Sequence, residues 1–143
     1  MTLHLVKLCV GCTSIDDLRH WIAEKRARSL ENGHPYEQYH ITRMAPKRDQ
    51  DLLNGGSLYW VIKGRIACRQ KLVSISSFKD DDGVSRCRLR LEPIVTPVAS
   101  RPMKPFQGWR YLDASLAPPD ITNDMTEDIP EALRQELSDL GLL

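Results

Sequence analysis

A run of cations extends from Lys63 to Arg110, and aromatic rings lie among or beside it. Its notable members are Lys63, Arg65, Arg69, Lys71, Arg86, Arg88, Arg90, Arg101, Lys104 and Arg110, with Trp60, Phe106, Trp109 and Tyr111 between or next to them. Cations neutralise phosphates and aromatic faces stack unpaired bases, a composition found in proteins that hold single strands or RNA. On this reading Arg69, Lys71, Arg86, Arg88 and Arg90 contact phosphates, and Trp109 or Tyr111 stacks a base. Lys63, Arg65 and Arg110 extend the same surface. The competing reading is internal: the aromatics anchor the chain to the core, and the arginines form a solvated sheet face answered by acids elsewhere.

Cys9-Val10-Gly11-Cys12 is the second constellation. A C-x-x-C can hold two metal thiolates or run dithiol exchange. A four-thiolate zinc site would also need Cys68 and Cys87. In a regular hairpin Cys87 faces Ser77, nine positions along from Cys68. At ~3.3 Å per residue that is roughly 30 Å, too far to share an ion. His34 and His40 are the other available ligands, at spacings that match no common finger. Both cysteines precede the first helix, so the pair also reads as two small thiols closing a buried strand. No metal or other cofactor is expected.

Catalytic patterns are lacking. The four histidines, His4, His20, His34 and His40, are scattered, and neither G-x-S-x-G nor H-E-x-x-H occurs. Asp80-Asp81-Asp82-Gly83 lacks the further ligands of a calcium loop and reads as a solvated turn. No catalytic residue is assigned.

A net charge of +1 hides a split. From Trp60 to Arg110 eleven Lys and Arg stand against four Asp and Glu. From Tyr111 to Leu143 one Arg stands against eight acids. Such a split marks an anion-binding face or two segments that attract each other. A hydrophobic content of 41% and a charged content of 27% are ordinary for a globular chain. No apolar run approaches the ~20 residues that cross a bilayer, and no secretory leader precedes the first strand. A cytoplasmic protein with reduced thiols and no membrane partner is expected.

These residues need elements to position them. Leu3–Val10 alternates as a first strand. Ser14-Ile15-Asp16-Asp17 opens a helix through a capping box, with Ile15, Leu18 and Ile22 as its apolar stripe and an end at Asn32-Gly33. Strands follow at 39–44 and 58–62, with a short helix at 49–53 between them. Segments 66–78 and 84–95 flank the aspartate turn as a hairpin. Pairing Asp80 with Val84 sets Ile75 against Leu89 and Val73 against Leu91 on an apolar face, and puts Ser74, Ser76, Arg86, Arg88 and Arg90 on the other. The same phase would bury Arg69 and Lys71, so a bulge is expected near Lys71. Six of the nine prolines lie between Pro93 and Pro119, which predicts an irregular arm over 93–127 with a short edge strand near 106–112. A capped helix over 128–141 carries Leu133, Leu137 and Leu140, a stripe suited to a homodimer contact.

The expectation is one α+β domain over 1–143: a twisted mixed sheet or a small open barrel, with an N-terminal and a C-terminal helix. Four stretches together are distinctive: 5–11, 59–64, Phe106-Gln107-Gly108-Trp109-Arg110-Tyr111-Leu112, and the ending 140–143. They resemble a family of uncharacterised proteobacterial proteins of about this length, a domain of unknown function, which implies a free-standing domain and no assigned activity. Segments 60–70 and 106–112 are also similar to strands of PUA-like domains of the ASCH type. That similarity implies a small open barrel and, in many members, RNA or modified-base binding. The stretch Lys63-Gly64-Arg65 lacks the Glu that the ASCH pattern sets ahead of its Arg. The functional expectation is a non-catalytic binding module for nucleic acid, RNA favoured. The alternatives are a thiol or metal protein using Cys9 and Cys12, and a protein-interaction or homo-oligomer module.

Overall fold

The computed structural model describes residues 2–33 and 38–121. The chain opens with β1 (Leu3–Leu8) and α1 (Ile15–Glu31). The helix starts where Ser14 accepts a hydrogen bond from the Asp17 amide at 3.1 Å, satisfying one orphan donor of the first turn. Asp16 and Asp17 suit its positive end. It stops at Asn32, whose amide reaches the Arg28 carbonyl at 3.1 Å. Ile15, Leu18 and Ile22 are buried, while Trp21 stays largely exposed with the Lys25 ammonium 3.6 Å above its ring centroid.

Next come β2 (Gln38–Thr42), α2 (Asp49–Leu53), β3 (Ser57–Ile62) and β4 (Arg65–Lys79), then β5 (Ser85–Leu91), β6 (Thr96–Pro102) and β7 (Trp109–Asp113). Seven strands among the described residues make one open mixed sheet in the order β2-β5-β4-β3-β1-β7, with β6 also on β4. Only β1 and β3 run parallel. The chain between them holds α1, β2 and α2, the long crossover that a parallel pair requires. Gly56 allows the return into β3: a Cβ there would lie 2.3 Å from the carbonyl oxygens of Leu3 and Leu52.

The fifteen-residue β4 organises the rest. Its first half lies between β3 and β6, and its second half pairs β5, so the chain from 85 to 102 runs back along its whole length. Ile75 pairs Leu89 as the hairpin phase predicts. The register then slips between Leu72 and Ser74, where Val73 is the extra residue and is exposed. The bulge expected near Lys71 thus falls at Val73, so Leu72 and not Val73 pairs Leu91. It lets Leu72 face the core while Arg69 and Lys71 share the outer side of β4 with Ser74 and Ser76.

The sheet has two apolar faces. One buries Leu3, Leu5, Leu58, Trp60, Ile62, Leu72 and Leu89 under α1 and the curl of β5. The other buries Val6, Tyr59, Val61, Ile66, Val98 and Leu112 beneath Phe106 and Met103. The second layer corrects the expected irregular arm at 93–127. Despite Pro97 and Pro102, residues 96–102 form a strand: β6 has β4 along one side and, among the described residues, a single bridge from Val98 to Asp120 on the other, so proline removes few bonds there. Trp109–Asp113 is the edge strand expected near 106–112, antiparallel to β1. The long second hairpin strand expected at 84–95 ends at Leu91, and β6 begins separately at Thr96. The helix expected over 128–141, with its leucine stripe, lies outside the described residues.

Candidate functional site

Two surfaces gather chemistry-bearing side chains. The first is the outer side of β4, β5 and β2. Directly opposed residues share a side of a sheet, so the register aligns Ser74 with Arg90 and Tyr39, Ser76 with Arg88 and Ile41, and Phe78 with Arg86. Cys87, Leu89 and Leu91 point the other way and are buried. The Arg88 guanidinium lies between two rings, 4.8 Å from the Tyr39 centroid and 4.6 Å from that of Phe78. Its Nε is buried without a hydrogen-bond partner. Arg86 Nε donates to Asp80 Oδ2 at 3.0 Å. The Asp80 carboxylate also accepts from the Val84 and Asp82 amides at 2.9 and 3.0 Å. Those bonds, Val84 first, hold its carboxyl below the usual carboxylate range and close the turn.

Lys71 lies exposed on this side. Arg69 does too by alternation, but there the C-terminal segment covers it: Nε and Nη2 donate to the two oxygens of Asp120, and Nη1 donates to Ser57 Oγ at 3.0 Å. Arg65 bonds the Ser100 hydroxyl. Arg110 stacks 4.7 Å over the Phe106 ring, and Lys63 occupies the β3–β4 turn with φ of 52°. Trp109 and Tyr111 belong to the opposite face, packed edge-on at 4.9 Å. Trp109 Nε1 donates to the Met44 carbonyl at 2.8 Å, and the Tyr111 hydroxyl accepts from the Arg48 amide at 3.2 Å. These two rings hold segment 44–48 against β7. Of the expected site residues, Lys71, Arg86, Arg88 and Arg90 therefore share one open surface, with Arg69 at its covered border. Lys63, Arg65, Trp109, Arg110 and Tyr111 do not join them. The rings beside these arginines are Tyr39 and Phe78, not Trp109 and Tyr111. No local pattern could reveal that, since only the pairing of β2 with β5 brings Tyr39 to Arg88.

The second surface is a cleft of about 550 Å³ beyond the C-terminal end of β1, the position where open sheets with parallel strands commonly take ligands. One wall is the turn from Cys9 to Cys12 and the other is Gln38, Tyr39 and His40 of β2. Asp17, His20, Trp21 and Glu24 of α1 line it, and Trp60 lies within it. Trp60 is fixed by Nε1 donating to Gln70 Oε1 at 2.9 Å and by the His40 ring edge-on at 5.3 Å. Gln38 and Gln70 exchange amide bonds at 3.2 and 2.8 Å, and Gln70 Nε2 also donates to the Glu92 carbonyl at 2.8 Å. Burial, helped by the Lys7 and Lys25 cations, lowers the His40 pKa to about 4, so its ring is neutral at pH 7.

The Cys9 amide donates to the Val61 carbonyl at 2.9 Å, which keeps this residue on the sheet. Gly11, at φ of 86°, turns the chain back so that the Cys12 amide meets the Cys9 carbonyl at 3.4 Å. Burial pushes the Cys9 thiol well up, Cys12 and Cys68 adding to the shift and Lys7 opposing it. Cys68 and Cys87 are buried in the core. No disulfide joins the four cysteines. Among the described residues, no three His, Cys, Asp or Glu side chains converge to hold a metal ion. No described helix is long and apolar enough to cross a membrane.

A family model described as "Protein of unknown function (DUF1489)" matches residues 5–143. No curated protein and no solved structure matches the chain, PUA-like domains included.

Proposed function

The chain belongs to the DUF1489 family of proteins of unknown function, and we propose that it is a binding module for single-stranded nucleic acid, RNA favoured, using the outer side of β4, β5 and β2. The observation that carries this reading is the alternation of Arg86, Arg88 and Arg90 along β5, with the Arg88 guanidinium held between Tyr39 and Phe78. Alternate strand residues are ~6.6 Å apart, so three cations track an extended backbone rather than one point. Lys71 extends the row. Tyr39 and Phe78 offer ring faces beside these cations, and stacking a base on such a ring contributes ~1–3 kcal/mol. Ser74 and Ser76 set hydroxyls next to the arginines, which suits a strand carrying 2′-hydroxyls.

The test is fluorescence anisotropy with a labelled oligouridine and its deoxy counterpart across a salt series. Phosphate contacts demand a log–log slope near −0.7 per contact on a single strand. Binding that strengthens as salt falls, and that weakens on Arg88→Ala or Arg90→Ala, supports the reading. Absence of binding to either strand at low salt overturns it.

A further inference from the structure

We propose that Cys9 and Cys12 form a reversible dithiol–disulfide pair that exchanges with low-molecular-weight disulfides entering the cleft. Two observations converge on it. The residues stand three apart across a turn closed by the Cys12 amide on the Cys9 carbonyl, at 3.4 Å. Both line the open cleft of about 550 Å³, so a small disulfide can reach them. The other two cysteines are fully buried, at 0% exposure, and cannot compete.

The site also sets the order of attack. Cys9 is the more constrained partner, since its amide is tied to Val61 on β3 and burial makes its proton hard to remove. Cys12 lies past the end of β1, two residues before Ser14, which caps a seventeen-residue helix. Cys12 Sγ, as thiolate, attacks one sulfur of the small disulfide. That S–S bond breaks, and the departing thiolate takes a proton from water. Cys9 then gives its proton to water, and its Sγ attacks the Cys12 sulfur. The mixed bond breaks and releases the second small thiol. Two protein thiols are thereby oxidised by two electrons, and one small disulfide is reduced to two thiols. The half-buried Lys7 ammonium, which acts on Cys9, favours the thiolate of the second step. The high proton affinity of Cys9 makes closure the slow step, so the mixed disulfide on Cys12 builds up first.

The experiment is a time course of the folded protein in oxidised glutathione, quenched with acid, alkylated and read by peptide mass. The expected result is glutathione first on Cys12, then loss of two hydrogens across the 9–12 peptide, with Cys68 and Cys87 reacting at least about tenfold more slowly. Cys9→Ser should hold the glutathione on Cys12 without closure. In denaturant the wild-type preference for Cys12 should vanish, which ties it to the fold and not to the peptide. If the folded wild type keeps its thiols free, or if Cys9 carries the glutathione first, the proposal is overturned.

Discussion

Arg69 grips Asp120 with two arms of its guanidinium, Nε to Oδ1 at 2.8 Å and Nη2 to Oδ2 at 2.7 Å. The contact joins the basic middle of the sequence to the start of its acidic stretch. It sits beside a short annealed segment, where the Ala99 amide meets the Pro119 carbonyl at 2.8 Å and the Ile121 amide meets the Pro97 carbonyl at 3.0 Å. Here the charge split is an internal match.

Asp120→Asn should cost about 1 kcal/mol at pH 7, since the pair is bidentate yet partly solvated. The hydrogen bonds from Arg69 lower the Asp120 carboxyl below its ordinary value of 3.8. A carboxylate depressed in the folded state stabilises above the unfolded pKa and loses that contribution as pH falls through the folded one. Urea melts should therefore show a constant gap between wild type and variant above pH 5. The gap should close below 3.8. An equal gap at all pH values would assign the effect to shape and not to charge.

Gln70 is fully buried and is the hub of the polar network beneath the cleft. Replacing it with Leu strands Trp60 Nε1, the Gln38 amide and the Glu92 carbonyl together. Buried groups left without partners cost ~1–3 kcal/mol each when they cannot reach water. Gln70→Leu should lower stability by about 3 kcal/mol in urea denaturation. The double change Gln38→Leu with Gln70→Leu should cost less than the sum of the two, because the Gln38 amide is removed with its partner.

Local pattern made much of the fold readable. Ser14 and Asp17 define the start of α1, and the aspartate turn fixes the β4–β5 register as far as Ile75 and Leu89. The impossibility of burying Arg69 and Lys71 signalled a bulge near Lys71 but not its place: it falls at Val73, and Leu72 takes the position opposite Leu91 that Val73 was expected to hold. What local pattern does not carry is which strands meet. Prolines suggested an irregular arm over 96–102, but an edge strand tolerates them, and β6 pairs β4 regardless. The cleft was invisible for the same reason. Cys9 was readable as a thiol, but its neighbours His40 and Trp60 arrive from distant strands. Trp109 looked like a stacking residue by composition, yet the Met44 carbonyl that holds it lies 65 positions away.

His40 should make stability fall in mild acid. Its folded pKa is about 4 and its unfolded value 6.5. A proton therefore binds the unfolded chain first, and stability is lost as pH drops from 6.5 toward 4. The loss should be about 2 kcal/mol between pH 7 and 4.5, smaller than the full linkage because the ring is partly open to the cleft. His4 shifts in the same direction through burial and Arg69, so the wild type alone does not isolate the effect. His40→Asn compared with wild type by urea denaturation at both pH values does. The variant should lose distinctly less stability on acidification.

The two sets of aromatic residues should separate binding from stability. Arg88→Ala and Arg90→Ala act on the outer side of β5, where each lost phosphate contact should reduce the salt slope by about 0.7 on a single strand. Tyr39→Leu should weaken binding by removing a stacking face, while the buried side of β2 stays intact. Trp109→Phe removes the bond to the Met44 carbonyl, and Tyr111→Phe removes the acceptor for the Arg48 amide. Each should cost about 1 kcal/mol of stability and leave the affinity and salt slope unchanged. Anisotropy and denaturation on the same five variants would decide the matter. Loss of affinity in Trp109→Phe, with Tyr39→Leu unaffected, would move the interface to the opposite face of the sheet. The reverse pattern is expected, because Trp109 and Tyr111 are committed to segment 44–48, whereas Tyr39 remains 45% exposed beside Arg88.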